Sequence, residues 1–210
     1  TVGELALMLN NERWIENQPQ LEVIKMKGWT RDLWYDQTKL PWIKPSPNIP
    51  DLNTAIIYAG MCLLEATNLS EGRGTKKPFK KFGAPWINKQ ELTQELNNLN
   101  LPGVVFKPIT FIPTPIKGMS NNPKYKNQVC HGAEIMLTNR DKFLSVFTGM
   151  SIIKKINEKY PTQLKIKTSG MNRLWGNAEF STQMQSNDLY QFYAPLKSYN
   201  KIAKKYFLYE

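Results

Sequence analysis

The chain has 210 residues, of which 41% are hydrophobic, so it can bury a core in one large domain or two small ones. Its longest apolar run, residues 55–64, is half as long as the roughly 20 residues that a membrane-spanning helix needs. The net charge of +11 favours a polyanionic partner such as nucleic acid, an acidic membrane face or a cell-wall polymer. These features exclude a disordered or membrane-spanning chain and leave the class of partner open.

The first predicted elements are a helix and a short strand. Thr1 and Glu4 have the spacing of a capping box ahead of apolar residues at positions 5, 8 and 9, so a helix should begin at the first residue. Because it starts so early, we expect the chain to be the C-terminal portion of a longer protein. The apolar segment 21–26, closed by Gly28, predicts a strand and therefore a helix-and-strand unit typical of an α/β layer.

An ordered loop and a second helix should follow. Residues 28–50 hold three tryptophans and four prolines, and the prolines forbid regular structure over the second half of this stretch. Asp51 is positioned to cap a helix, and Gly60 should interrupt or end it. The apolar face of this helix is predicted to contain Leu52, Ala55, Ile56 and Ala59.

The second part of the chain has the pattern of an α+β fold. A helix capped by Asn88 precedes two predicted strands, 103–114 and 130–138, and an amphipathic helix over 141–160. Alternating aromatics and lysines predict a terminal helix over 188–209. The sequence thus predicts an α/β region, residues 1–67, followed by a smaller α+β subdomain, residues 68–210.

The two cysteines are not expected to be catalytic. Cys62 and Cys130 are far apart and form no CxxC motif, which excludes a zinc ribbon and leaves either buried thiols or one disulfide. His131 adjoins Cys130, but neighbouring side chains on a strand point to opposite faces and cannot share a proton.

The segment 68–75, NLSEGRGT, carries more side-chain chemistry than a turn requires. Its spacing does not fit a phosphate-binding loop, whereas Gly72 and Gly74 allow unusual backbone angles and close approach of a ligand. We expect an exposed loop on which Glu71 serves as general acid, general base or anchor for sugar hydroxyls, while Arg73 grips a carboxylate. The alternative is an ion pair that only holds the loop. Glu65 could supply the second carboxyl group that glycosidases need roughly 5 to 10 Å away.

Two tryptophans and a cluster of four lysines each allow two interpretations. Trp34 and Trp42 lie in the proline-rich loop, where an indole either packs in the core or stacks on a sugar ring. Four lysines form the densest basic cluster and represent either a solvated face or a polyanion contact: Lys76, Lys77, Lys80 and Lys81.

Residues 27–87, above all the block LLEATNLSEGRGT…PF…FGAPWI, resemble the peptidoglycan exo-β-N-acetylmuramidases. The similarity continues through GVVFKPITFIPT, CHGAEIMLTNRDKF and KKYFLYE. It implies an extracytoplasmic bacterial glycoside hydrolase, without metal or cofactor, that releases N-acetylmuramic acid from the non-reducing ends of peptidoglycan fragments. Members pair a Rossmann-like subdomain with a smaller auxiliary one around a cleft, so residues 1–67 would be the end of the former. The family's opening half, with acidic residues held to be catalytic, has no counterpart here.

The resemblance places PSPN (residues 45–48) and NLSEGRGT in the lining of that cleft. It makes Glu71 the candidate catalytic residue and implies substrate-binding roles for Ser46, Asn48, Asn68, Ser70, Arg73, Thr75, Trp34 and Trp42. The stretch YAGMCLLEAT departs from the family's usual YPGTCLLEGT at Ala59, Met61 and Ala66.

Two functions from different classes follow from these observations. In the first, the chain is part of a muramidase, binds peptidoglycan fragments, needs the missing half for turnover and tends to self-associate without it. In the second, it is a non-catalytic basic module for cell-wall polymer or nucleic acid. A nucleic-acid binder should carry a stripe of basic and aromatic residues, and the sequence has clusters but no such stripe, so we expect no nucleic-acid partner.

Overall fold

The computed structural model describes residues 1–185 and 194–209 and has a mixed α/β fold with a three-stranded antiparallel sheet. The chain divides into two compact units, which we call the first unit (residues 1–41 with 188–210) and the second unit (residues 42–187). The subdomain boundary predicted after residue 67 does not coincide with this division and stays a prediction.

The first unit begins with the predicted helix. Helix α1, Val2–Asn11, is capped by Thr1, and Glu4 completes the capping box as expected. The Glu4 side chain is buried, and it accepts hydrogen bonds from the Arg31 guanidinium (2.6 Å) and from the backbone N–H of Leu208 (2.8 Å). Glu4 therefore ties the two stretches of the unit together.

The rest of the first unit contains short helical elements. A 3-10 helix spans Tyr35–Thr38, helix α7 spans Ala194–Ala203, and a second 3-10 helix covers Lys204–Tyr206. The predicted terminal helix is confirmed over α7 and gives way to a 3-10 turn after it. Residues 188–193 of that prediction lie outside the described residues.

The predicted strand over residues 21–26 is wrong. This segment has no regular structure, and Ile24 is 91% exposed. A strand needs a neighbouring strand to satisfy its backbone groups, and the described part of the first unit contains none. A side chain satisfies one of these groups, because the Met26 N–H donates to the Tyr209 hydroxyl at 3.0 Å.

The second unit opens with helix α2, Leu52–Met61, which Asp51 caps as predicted, and a 3-10 helix, Cys62–Ala66, continues it. The predicted apolar face of α2 is wrong, because the buried residues are Thr54, Ile57, Gly60 and Met61. Helix α4 (Ser145–Lys159) decides which face is buried. The Ser145 hydroxyl accepts from the Gly60 N–H (2.8 Å) and donates to the Ile57 carbonyl (2.9 Å). Gly60 thus allows close helix packing, and α2 ends one residue after it, at Met61, so the predicted end is confirmed to within one residue.

Three antiparallel strands form the sheet in the order β1-β3-β2. They are β1 (Lys81–Ala84), β2 (Val104–Phe111) and β3 (Cys130–Leu137). Gly83 lies opposite Gly132, and Phe106 lies opposite Ile135. Strands β2 and β3 confirm two predicted strands with shorter bounds, whereas β1 was not predicted because it is only four residues long.

Four more helices surround the sheet or close the second unit. Asn88 caps α3, Lys89–Asn98, as predicted. Helix α4 starts four residues later than predicted, because the Asn139 side chain accepts the backbone N–H groups of Asp141 and Lys142 and holds them in a turn. Helices α5 (Thr168–Trp175) and α6 (Phe180–Gln185) were not predicted.

Candidate functional site

Backbone hydrogen bonds fix the segment 68–75, which we call the glycine loop, against the sheet. Ser70 and Gly83 exchange two of them, at 2.8 and 3.0 Å, so the loop pairs with the edge strand β1. The Phe79 N–H donates to the Glu71 carbonyl at 2.7 Å, and the Thr114 N–H donates to the Gly74 carbonyl at 2.9 Å. The loop is therefore an integral part of the second unit.

Side chains of the glycine loop reinforce this attachment. The Asn68 amide donates to the Gln163 carbonyl (2.9 Å) and accepts the Lys165 N–H (2.8 Å). The Ser70 hydroxyl accepts the Gly72 N–H, and the Thr75 hydroxyl donates to the Gly72 carbonyl. The polar groups of Asn68, Ser70 and Thr75 thus hold the loop, and their predicted contact with substrate stays a prediction.

The two glycines have the unusual backbone angles expected from the sequence. Gly72 has φ +76° and Gly74 has φ +78°, in the left-handed region that disfavours other residues. A Cβ on Gly74 would lie 2.6 Å from the Thr114 carbonyl oxygen. Glycine is therefore required at position 74 both for its φ angle and for space.

The expectation that Glu71 is displayed on an exposed loop is wrong. Its side chain is only 5% exposed, because the loop pairs with β1 and turns Glu71 inward. The Lys124 ammonium lies 3.1 Å from Oε2 of Glu71, and Nε of Arg73 lies 3.8 Å from Oε1. Among the described residues, Oε2 accepts no hydrogen bond, so these two cations compensate its charge mainly through electrostatics.

Lys124 explains why the Oε2 contact is not a hydrogen bond. Its ammonium has three N–H donors, and they point to the backbone carbonyls of Leu64 (2.9 Å), Glu65 (3.2 Å) and Leu69 (3.0 Å). Lys124 comes from the connection between β2 and β3. It therefore fastens that connection to the end of the 3-10 helix, Cys62–Ala66, and places a positive charge beside Glu71.

Arg73 joins the second carboxylate to the cluster. Its NH2 group donates to Oε1 of Glu65 at 3.0 Å, and its guanidinium also lies 5.1 Å above the centre of the Phe79 ring. The side chains of Arg73 and Glu65 are 33% and 28% exposed. Glu65 and Glu71 thus share one guanidinium, and only Glu65 has a surface that a ligand can reach.

The pKa of Glu65 is raised above its usual value. Burial is the main cause; the Arg73 guanidinium opposes it, and the negative charge of Glu71 adds to it. Burial and the charge of Glu65 also raise the pKa of Tyr58, whose ring packs edge-on against Phe79 at 4.8 Å. The cluster therefore contains one carboxyl group that keeps its proton to higher pH than an ordinary glutamate.

A pocket of about 300 Å³ opens beside Glu65, between the 3-10 helix and α5. It is lined by Glu65, Ala66, Lys167, Ser169, Gly170, Arg173 and Leu174. Glu71 is not among these residues. The pocket connects the charge cluster to the surface of the second unit.

The remaining predicted site residues are the turn PSPN and two tryptophans. The Ser46 hydroxyl accepts the Asn48 N–H (3.3 Å), and the Asn48 amide donates to the Met119 carbonyl (2.8 Å), so PSPN forms a turn attached to the β2–β3 connection. Trp34 belongs to the first unit, whereas Trp42 belongs to the second, and both are half-buried.

The cysteines and His131 also have structural surroundings. Cys62 and Cys130 are free thiols, and burial raises the pKa of both, that of Cys130 to about 11. Nδ1 of His131 lies 3.1 Å from the Thr110 hydroxyl. Within the described ranges, no cluster of His, Cys, Asp and Glu could hold a metal ion, and no helix there is long and apolar enough to cross a membrane.

Sequence reasoning missed Lys124, Lys167 and Arg173. Lys124 lies 51 or more positions from Glu65, Glu71 and Arg73 and is one of three lysines in a polar stretch, so nothing local distinguishes it. Lys167 and Arg173 belong to α5, which was not predicted. These residues meet the cluster only through the tertiary fold.

The chain matches two models of one protein family. The C-terminal model of the exo-β-N-acetylmuramidase NamZ family matches residues 56–209, and the family's N-terminal model matches residues 1–53. The chain is 40% identical to the peptidoglycan β-N-acetylmuramidase NamZ of Bacillus subtilis (strain 168), over all of this chain and 50% of that protein. It thus spans about half the length of this curated relative.

Solved structures agree with this assignment. A DUF1343 family protein from Bacteroides fragilis is 28% identical, with a TM-score of 0.87 over 99% of this chain and 56% of that one. A second DUF1343 protein from the same organism, 24% identical with a TM-score of 0.70 over 100% of this chain and 55% of that one, shares the fold. The chain belongs to the NamZ exo-β-N-acetylmuramidase family.

Proposed function

We propose that this chain is part of an exo-β-N-acetylmuramidase, which hydrolyses the glycosidic bond of N-acetylmuramic acid at the non-reducing end of peptidoglycan fragments. The observation that carries the proposal is the pair of carboxylates, Glu65 and Glu71, that share the Arg73 guanidinium. The family membership supports hydrolase chemistry on peptidoglycan. Such a substrate lies outside the cytoplasm, which supports the extracytoplasmic location.

We infer different roles for the two carboxylates from their different burial. Glu65 borders the pocket and has a raised pKa, which suits a group that donates a proton to a leaving oxygen. Glu71 is buried and lies beside Arg73 and Lys124, which suits a positioning residue that fixes the guanidinium. This assignment moves the candidate catalytic role from Glu71, the residue favoured by the sequence, to Glu65.

The complete protein is expected to supply the rest of the site. Glycoside hydrolysis needs a second group on the other face of the sugar, held in fixed geometry. The similarity of residues 1–53 to the family's N-terminal model supports an N-terminal subdomain to which these residues belong and which the complete protein would complete. The 210-residue chain alone is expected to bind fragments weakly and to lack useful turnover.

The alternative of a basic binding module is less well supported. Two of the four clustered lysines are engaged, because Lys77 contacts Glu134 and Lys80 donates to Asp51 at 2.8 Å. Lys81 is half-buried, and burial lowers its pKa. Little of the positive charge of these lysines is therefore available to bind a nucleic acid, which supports a peptidoglycan partner instead.

The test is hydrolysis of a chromogenic N-acetylmuramic acid glycoside by the complete protein. Replacing Glu65 with Gln should lower kcat at least about 100-fold, the usual contribution of a general acid. Glu158→Gln is the matched control, because Glu158 is exposed and pairs with Lys155 on the same helix, α4. Hydrolysis by Glu65→Gln at the rate of the control would refute the role of Glu65, and absence of hydrolysis by the wild type would refute the proposed activity.

A further inference from the structure

Backbone hydrogen bonds join the two segments that form the pocket beside Glu65. The Lys167 N–H donates to the Ala66 carbonyl at 2.7 Å, and the Asn68 N–H donates to the Lys165 carbonyl at 3.0 Å. Thr67 and Ile166 form an antiparallel bridge between the same two segments. The segment that leads into α5 is thus attached to the 3-10 helix, which holds the backbone on both sides of the pocket in place. Preformed walls reduce the entropic cost of binding.

The pocket has an excess of positive charge. Lys167 and Arg173 line one wall and, among the described residues, neither lies within ion-pair distance of a carboxylate. Glu65, on the other wall, is already paired with Arg73. With Lys124, the cluster and its pocket hold four cations against two carboxylates, Glu65 and Glu71. An anionic group would compensate this difference.

The remaining lining indicates what the anion is attached to. Arg173 can form two parallel hydrogen bonds with a carboxylate, and Lys167 can add a third charge-assisted bond. Ser169 and Glu65 offer polar groups for hydroxyls or an amide, while Ala66 and Leu174 offer apolar contact. A volume of about 300 Å³ is at the small end of ligand pockets, so one sugar residue suits it better than a long chain.

We infer that this pocket binds the carboxylate of an acidic sugar residue of the substrate, with Arg173 and Lys167 as its binding residues. The inference rests on the proposed function and adds the part of the substrate that is recognised. Two carboxylates of peptidoglycan share the required chemistry, the one on the lactyl ether of the sugar and the one on the attached peptide.

Binding of N-acetylmuramic acid to the complete protein, measured by calorimetry, tests the inference. Reversing both charges, Lys167→Glu with Arg173→Glu, should weaken binding at least about 10-fold, the value of a lost charge-assisted bond. Lys142→Glu, an exposed lysine in the turn before α4, is the matched control and should bind as the wild type does. Both pocket cations are exposed, so the double variant should keep the wild-type melting temperature.

Neutral ligands distinguish the two carboxylates. N-acetylglucosamine and the lactyl amide of N-acetylmuramic acid should bind weakly and equally to the wild type and the double variant, if the lactyl carboxylate is the one recognised. A charge-dependent affinity that appears only with a muramoyl peptide whose lactyl group is an amide would instead assign the pocket to the peptide carboxylate. Equal affinity of the wild type and the double variant for every acidic ligand would overturn the inference, and it would do so whether or not the protein hydrolyses the chromogenic glycoside.

Discussion

The burial of the glycine loop (68–75) and of segment 21–26 is the opposite of what the polarity of their sequences suggests. The loop is polar and charged, yet Ser70 and Glu71 are almost completely buried, whereas the apolar segment 21–26 is largely exposed. The difference lies in the available partners. The glycine loop pairs with strand β1, is hydrogen-bonded to two other segments and places Glu71 beside two cations. Segment 21–26 has no neighbouring strand in the described residues. In these two segments, burial thus follows from satisfied backbone groups and compensated charges more than from side-chain polarity.

Removal of Lys124 should have the largest effect on the stability of the buried glycine loop. Lys124→Met deletes three hydrogen bonds to backbone carbonyls and leaves the Glu71 carboxylate without its nearest cation. We expect the free energy of unfolding to fall by about 2 to 4 kcal/mol. Urea denaturation measures the change, with Lys142→Met as the control. A loss equal to that of the control would mean that the ammonium does not support the loop.

The glycine loop should also be intolerant of a methyl group at position 74. Gly74→Ala adds a Cβ that would contact the Thr114 carbonyl, and we expect a loss of about 2 to 3 kcal/mol. Gly118 has the same φ of +78° but open space around a Cβ, so Gly118→Ala should cost only about 1 kcal/mol. Equal losses in the two variants would show that the close contact is unimportant.

The burial of the Cys130 thiol can be tested without a substitution. Burial raises the pKa of Cys130 to about 11, so at pH 8 its thiolate fraction should be about 100-fold lower than that of an ordinary cysteine. Alkylation of native Cys130, followed by mass spectrometry, should be slow at pH 8 and accelerate as the pH rises toward 11. In the unfolded protein, Cys62 and Cys130 should react alike. Rapid labelling of native Cys130 would show that its thiol is accessible to solvent.

The smallest effect is expected in segment 21–26. Because Ile24 is almost fully exposed, Ile24→Ser in the 210-residue chain should change the free energy of unfolding by no more than about 0.5 kcal/mol. Ile135→Ser, at a buried position of strand β3, should cost several times more. Denaturation curves of the two variants give the comparison. Similar losses would indicate that the segment packs as the predicted strand.

Local signals predicted the starts of three helices and the strands β2 and β3. Thr1, Asp51 and Asn88 cap helices as expected, because a cap depends on residues only three positions apart. The alternation in β2 and β3 also reflects local geometry. The buried face of α2 could not be predicted in this way, because Ser145 of α4 determines it from a distance of 85 residues along the chain.

The site was predicted only in part for the same reason. The sequence singled out Glu71 and Arg73, and both belong to the cluster. Their burial could not be predicted, because it depends on the pairing of Ser70 with Gly83 and on the charge of Lys124. The pocket needs α5, whose short pattern gave no signal.

The pH dependence of kcat/KM in the complete protein tests the central claim most directly, which is that Glu65 donates a proton while Glu71 and Arg73 position it. With the chromogenic glycoside, the wild-type rate should fall as the pH rises through the pKa of Glu65, above the ordinary value for glutamate, because the acid form is then lost. Glu65→Gln should remove this limb of the profile and leave a low, flat rate. A Glu65→Gln variant that keeps the wild-type profile would contradict the account.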